Sequence, residues 1–222
     1  CTEQKHRRHQ DFGITLNTGA EIIEPVSCEK LLGGYVSNDF KWNQHLRDNG
    51  KSLFRILTSR INALSKMSKV SSFKTRKLLA NGMVLSILIY LIQVWGGCNN
   101  YLIKMLQVLQ NRAARIVTKL SWFTPTKDLL NQCGWLSVKQ LIEYHSLLLL
   151  YKIKKEKKPV YLNEKLSQPF AYNFRQTQAN EIPLQNYKFA TTESSFIPRS
   201  IKSLSLIHIS EPTRPLYISY AV

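Results

Sequence analysis

The stretch NNYLIKMLQVLQNRAARIVTKL, residues 99–120, decides the fold. Its apolar residues Leu102, Leu106, Leu109, Ala113, Ile116 and Leu120 step by four, three, four, three and four. That spacing lays one buried seam along an α-helix, and it is the cleanest helical pattern in the chain. Asn99 and Asn100 suit the helix start. Arg112, Arg115 and Lys119 share the neighbouring face at spacings of three and four, so their charges converge. One such seam needs further helices to cover it.

The chain on either side supplies them. Downstream, Thr124-Pro125 opens a short helix, with Thr as cap and Pro at the first helical position, and Gly134 stops it. Ser137-Val-Lys-Gln140 matches a capping box for a further helix, apolar through Leu147 to Tyr151 and running out in the lysines before Pro159. Upstream, Leu46, Leu53, Leu57, Ile61, Leu64 and Met67 form a stripe beginning after Trp42, weakened but not broken by Gly50. Ser72 caps a helix that enters the apolar run Met83–Trp95 and ends at Gly96-Gly97. As a helix that run spans only about 20 Å, against the roughly 30 Å of a bilayer core, so it reads as buried core.

The first forty residues look like strands. Gly13–Leu16 and Ala20–Ile23 flank an Asn17-Thr18-Gly19 turn, Lys30–Val36 makes a third strand whose two glycines allow close backbone approach, and Asn38 and Asp39 are good helix caps. After Pro159 the periodicity is poor, and Pro169, Pro183 and Pro198 argue against long helices. The expected fold is mainly α: strands over 1–37, a bundle of about five helices over 38–158, an irregular extension over 159–203, and a separate tail over 204–222.

Composition narrows the partner. The 222 residues carry 31 Lys and Arg against 14 Asp and Glu, a net charge of +17, with 44% hydrophobic residues that exclude wholesale disorder. Ten of the basic residues lie between Lys41 and Lys77 with one acid, Asp48, and five more lie between Lys104 and Lys127 with none. Charge this one-sided repels itself unless partnered, which points to a polyanion. The plainer reading, solvated helix faces, competes with it, as does an anionic membrane surface. Cys1, Cys28, Cys98 and Cys133 are far apart, so a disulfide framework or zinc site is not expected and a reducing, intracellular compartment is. His6 and His9 have ligand-like spacing but no second pair.

No catalytic constellation is legible. The four aspartates, Asp11, Asp39, Asp48 and Asp128, include no adjacent pair of the kind that holds two metals. Phosphate-cradling glycine loops, nucleophile elbows and His-Glu-x-x-His helices are absent, and Cys133 with His145 reads as core packing rather than a thiolate pair. The residues describe a binding piece without its own active site, metal or cofactor.

The order of motifs resembles the end of the palm and the thumb of jockey-like non-LTR retrotransposon reverse transcriptases. Glu29-Lys-Leu-Leu-Gly-Gly-Tyr-Val36 and Phe40-Lys-Trp-Asn-Gln-His45 come first. Lys74-Thr-Arg-Lys-Leu78, Tyr90 with Trp95-Gly96, and Leu106-Gln-Val-Leu-Gln-Asn-Arg-Ala-Ala-Arg115 follow, then Gly134–Val138, Pro159–Leu162 and Ser195-Phe-Ile-Pro-Arg199. Gly34 departs from the family, which usually has an apolar residue there. The resemblance covers about residues 29–202. It implies a parent RNA-directed DNA polymerase, Mg²⁺-dependent and acting in the nucleus on a chromosomal target, usually with an upstream endonuclease. It also implies that the catalytic carboxylates precede this stretch, so no catalytic residue carries over.

The thumb would grip a primer–template duplex through its phosphates, with Lys51, Arg55, Lys74, Arg76, Lys77, Arg112, Arg115 and Lys119 as the expected contacts. A stand-alone basic helical module is the alternative. The family continues after Arg199 with Trp-Asn-x-Leu-Pro, whereas this chain gives Ser203-Leu-Ser-Leu-Ile-His-Ile-Ser-Glu-Pro-Thr-Arg214. That string, with Ile218–Val222 after three intervening codons, resembles an in-frame translation of a transposase-type sequencing adapter. On that reading residues 204–222 have no packing role, and residues after about 163 are loosely held. Oligomeric state is not legible.

Overall fold

A computed structural model describes residues 16–17, 22–23, 26–167 and 190–210. The fold is mainly helical with short antiparallel hairpins at the N-terminal end. Leu16 pairs with Ile23 and Asn17 with Ile22, as β1 (Leu16–Asn17) and β2 (Ile22–Ile23). Asn17, expected in the turn, is therefore a strand residue. Gly13 to Thr15, the basic arm with His6 and His9, segment 168–189 and residues 211–222 lie outside the described residues.

The expected third strand is itself a hairpin. Cys28–Leu31 (β3) pairs with Gly34–Ser37 (β4), Leu31 opposite Gly34. Leu32 and Gly33 form the turn with φ of 48° and 83°, the left-handed pair that matches strand twist. A leucine there is unusual, and the tip is pinned from outside: the Tyr90 hydroxyl donates to the Leu32 carbonyl at 2.6 Å. Asp39 does not cap a helix. It accepts from the Ser37 hydroxyl and the Lys41 amide, contacts that hold its carboxyl down to about 2.

The helix expected from Trp42 to Met67 is two pieces. A π-helical turn, Gln44–Asp48, ends at Asn49-Gly50, and α1 (Leu53–Met67) starts afresh after Ser52. Asn-Gly is a turn dipeptide, and the Asn49 side chain accepts from the Lys51 amide. Leu53, Leu57, Ile61 and Leu64 are buried as the stripe requires, while Met67 is exposed. After Ser72, whose hydroxyl accepts from Thr75 N, the chain stays helical through α2 (Phe73–Ala80), a π-helical insertion (Asn81–Leu85) and α3 (Ser86–Ile89). Leu91, at φ 55°, breaks it before α4 (Ile92–Trp95). Ala80, Val84, Leu88, Ile92 and Trp95 are at most 1% exposed, so the apolar run is core. No helix among the described residues is long and apolar enough to cross a membrane.

The central helix, α5 (Asn100–Thr118), is capped by the Asn99 side chain as the sequence predicts. Its seam drifts: Val117 is buried, Ile116 is half-buried and Leu120 is exposed. The cause is the helix end. Six positions at an average step of 3.6 hold one face, but Lys119 turns left-handed and ends the helix before Leu120. Then come α6 (Thr126–Cys133), closed by left-handed Gly134, and α7 (Val138–Glu156). The capping box is present in full: the Ser137 hydroxyl accepts from Gln140 N, and the Gln140 side chain accepts from Ser137 N at 3.0 Å.

The described residues beyond Pro159 are more regular than expected. Val160–Ser167 (α8), Ala190–Glu193 (α9) and Phe196–Ser210 (α10) are helical. Pro198 does not forbid α10 because it is the third residue, within the first turn, where backbone amides have no intrahelical acceptor. Ile201 and Leu166 pack with Leu150 and Ile153 in a second apolar cluster, with Leu204 half-buried at its edge. The helix extends six residues past Leu204.

Candidate nucleic-acid interface

From Asn49 to Lys127 the chain contains thirteen Lys and Arg and not one Asp or Glu. The fold brings this stretch together, because α1 and α2 both pack on α5. Among the described residues the ion pairs are Lys41–Asp39 and Lys202–Glu193, and neither involves a cation of that stretch. No carboxylate among the described residues forms an ion pair with its cations.

On α1, Arg55, Ser59, Asn62 and Lys66 step by four, three and four and line a groove of about 500 Å³ with Thr58 and Phe54. The row runs about 16 Å along the helix. Arg112 of α5 joins it, donating from Nη2 to Asn62 Oδ1 at 2.8 Å. The groove thus offers the Arg55 guanidinium, the Lys66 ammonium, the Ser59 hydroxyl and the Asn62 amide, with Arg112 at its edge, donors of the kind that hold phosphate oxygens. The Thr58 hydroxyl donates instead to the Phe54 carbonyl. Lys51 and Lys74 are exposed nearby in sequence, one before α1 and the other in the first turn of α2.

The remaining expected contacts have local jobs. Arg76, expected on a phosphate-binding face, is 7% exposed. Its Nε donates to the Val117 carbonyl at 2.8 Å and its Nη1 to the Ser71 carbonyl at 2.5 Å. Val117 lies in the last turn of α5, whose carbonyls lack helical partners and carry the negative end of the helix dipole, so Arg76 ties α2 to that end. Lys77 is half-buried with its ammonium beside Gly134, at the end of α6. Arg115 lies 4.5 Å above the Trp122 ring and donates to the Trp122 carbonyl. Lys119 is exposed as the left-handed residue that ends α5. Of the eight expected residues, then, Lys51, Arg55, Lys74, Arg112 and Lys119 present their charge to solvent, and only Arg55 and Arg112 meet at one groove. Lys66, which the sequence reading passed over, completes it; its spacing from Arg55 and Asn62 was the available signal.

A larger cavity, about 710 Å³, opens where α10 meets the bundle. Trp42, Leu102, Leu149, Leu162 and Phe196 line it, and Lys41 is the only charged residue among the described lining. Its thiol, Cys98, is pushed up to about 11 by burial, and burial raises Cys133 as well. Burial thus disfavours the reactive thiolate form of both sulfurs. His145 is half-buried with its ring edge-on to Tyr144, and burial lowers its pKa.

No protein-family model matches the chain, and neither the curated proteins nor the solved structures contain a significant match.

Proposed function

We propose that the chain is the thumb-like part of a jockey-like non-LTR retrotransposon reverse transcriptase, following the catalytic carboxylates, and that it holds primer–template duplex by its phosphates. The observation that carries this reading is the acid-free stretch and its groove: Arg55 and Lys66 line it beside the Ser59 hydroxyl, Arg112 reaches it through Asn62, and among the described residues no carboxylate pairs with them. Such a surface positions a backbone and reads no sequence. The motif order across residues 29–202 supplies the family, and the chain itself performs no polymerisation.

Fluorescence anisotropy with a short RNA–DNA hybrid tests it. Affinity is expected to fall steeply with salt, because each neutralised phosphate releases counterions. Arg55→Gln with Lys66→Gln removes two contacts and should flatten the log–log salt slope by about 2. A slope unchanged by the double substitution, or no hybrid binding at low salt, refutes the proposal. So does primer extension on an RNA template with Mg²⁺ above a vector control.

A further inference from the structure

The loop between α5 and α6 exposes two large aromatic rings that the duplex grip does not use. Trp122 is 73% and Phe123 92% exposed. They are the central residues of a turn closed by Thr124 N donating to the Ser121 carbonyl at 3.1 Å. The Ser121 hydroxyl accepts from Phe123 N, and Pro125 follows. Turn tips favour Gly, Pro, Asn, Asp and Ser, so paired aromatics there are not explained by the turn.

Trp122 is also held. Arg115 covers one face of Trp122 at 4.5 Å from the ring centroid and grips its carbonyl. That contact fixes the indole while its other face stays open to solvent. The flanking cations Arg115, Lys119 and Lys127 have no acid among them. A rigid, open π-face beside unpaired positive charge matches one ligand chemistry well: a nucleobase with its phosphate. A neutral apolar partner would gain nothing from those cations.

We propose that Trp122 and Phe123 form a stacking platform for unpaired bases of a single strand running off the end of the bound duplex. This rests on the duplex-binding reading above. Every base has a π-face, so the platform tolerates any sequence, and it favours a tailed duplex over a blunt one.

The experiment compares a blunt RNA–DNA hybrid with the same hybrid carrying a single-stranded tail, using the full chain. The tail is expected to tighten binding by roughly tenfold per stacked base. It should also quench tryptophan fluorescence, because Trp95 and Trp135 are buried and Trp42 is half-buried. Phe123→Ala and Trp122→Ala should each reduce the tail's contribution and leave blunt-hybrid affinity unchanged. Both side chains are exposed, so the fold should tolerate their loss, and circular dichroism checks that it does. Equal affinity for tailed and blunt hybrids overturns the platform and spares the duplex grip, as does a tail preference that survives both substitutions. Failure to bind either hybrid overturns both readings. Quenching by the tail that persists in Trp122→Phe places the strand elsewhere and refutes the assignment.

Discussion

Replacing Gly97 with alanine should lever α10 off the bundle. Gly97 follows Trp95-Gly96 at the end of α4, and α10 reaches this point through Arg199. The Arg199 guanidinium donates to the Gln93 carbonyl at 2.9 Å, the Ser194 carbonyl at 3.3 Å and the Ser146 hydroxyl at 3.4 Å. A Cβ on Gly97 would overlap the Ser194 carbonyl oxygen and lie 2.8 Å from Arg199 Nη1. The obstacle is backbone, so no side-chain rotation relieves it. Either the 193–196 segment moves away, or the α4–α5 junction does, and both stretch the Arg199 hydrogen bonds.

The cost follows from two terms. Overpacking at a close contact costs about 1–3 kcal/mol, and losing one hydrogen bond from a charged donor adds about 1.5–3 kcal/mol. Together about 2.5–6 kcal/mol is at stake. In a chain of this size each kcal/mol lowers Tm by roughly 2–4 °C, so a fall on the order of 10 °C is expected if the domain unfolds as one unit. Hydrogen exchange separates that case from local release, since amides of α10 would then lose protection while those of α5 keep it. Gly82→Ala is the control. Nothing lies within 4 Å of a Cβ there, and alanine in a helical segment should be neutral or stabilise by up to about 1 kcal/mol. If Gly97→Ala matches the parent chain in both Tm and α10 protection, the docking of α10 described above is wrong.

Two other outcomes follow from buried groups. His45 is 7% exposed with Nε2 lacking a partner, and burial lowers its pKa from 6.5; His145 is shifted the same way. The folded chain holds both neutral, whereas the unfolded chain takes up protons near pH 6.5, so this stability is complete above that pH and lost as pH falls through the folded values. Tm should therefore drop on acidification below about 6.5, and His45→Phe should shallow that dependence; an unchanged pH profile in the variant counts against it. Arg76→Met should destabilise by about 2–4 kcal/mol by orphaning two carbonyls, with no effect on the salt slope of hybrid binding, and Arg76→Lys should fail to rescue because one ammonium cannot span both acceptors. A flattened slope with unchanged Tm would instead make Arg76 a phosphate contact.

Arg76 also marks where sequence reading stops. Caps are local chemistry, so Asn99, Ser137 with Gln140, and Gly134 were legible: each needs only neighbours within four residues. Charge was legible as a stretch, but not its spending. Arg76 stands four residues before Ala80, then Val84 and Leu88, all buried. It therefore occupies the inward stripe of its helix, and a position on that stripe can hold a cation only if something pairs it. The acceptor, the Val117 carbonyl, is 41 residues away, and nothing in the local pattern announces it. The same limit hid α10. Its first-turn Pro198 read as a breaker, and its partner, the Gln93 carbonyl, is 106 residues upstream of Arg199. Yet Trp95-Gly96 and Ser195-Phe-Ile-Pro-Arg199 were both singled out as motifs. The structure brings them together: Ser194 and Arg199 fill the space a side chain on Gly97 would need, and Arg199 joins Ile92 and Ile142 in closing the space above Gly96. Two short motifs that look independent along the chain are two halves of one contact, so a substitution in either should be judged by what it does to the other.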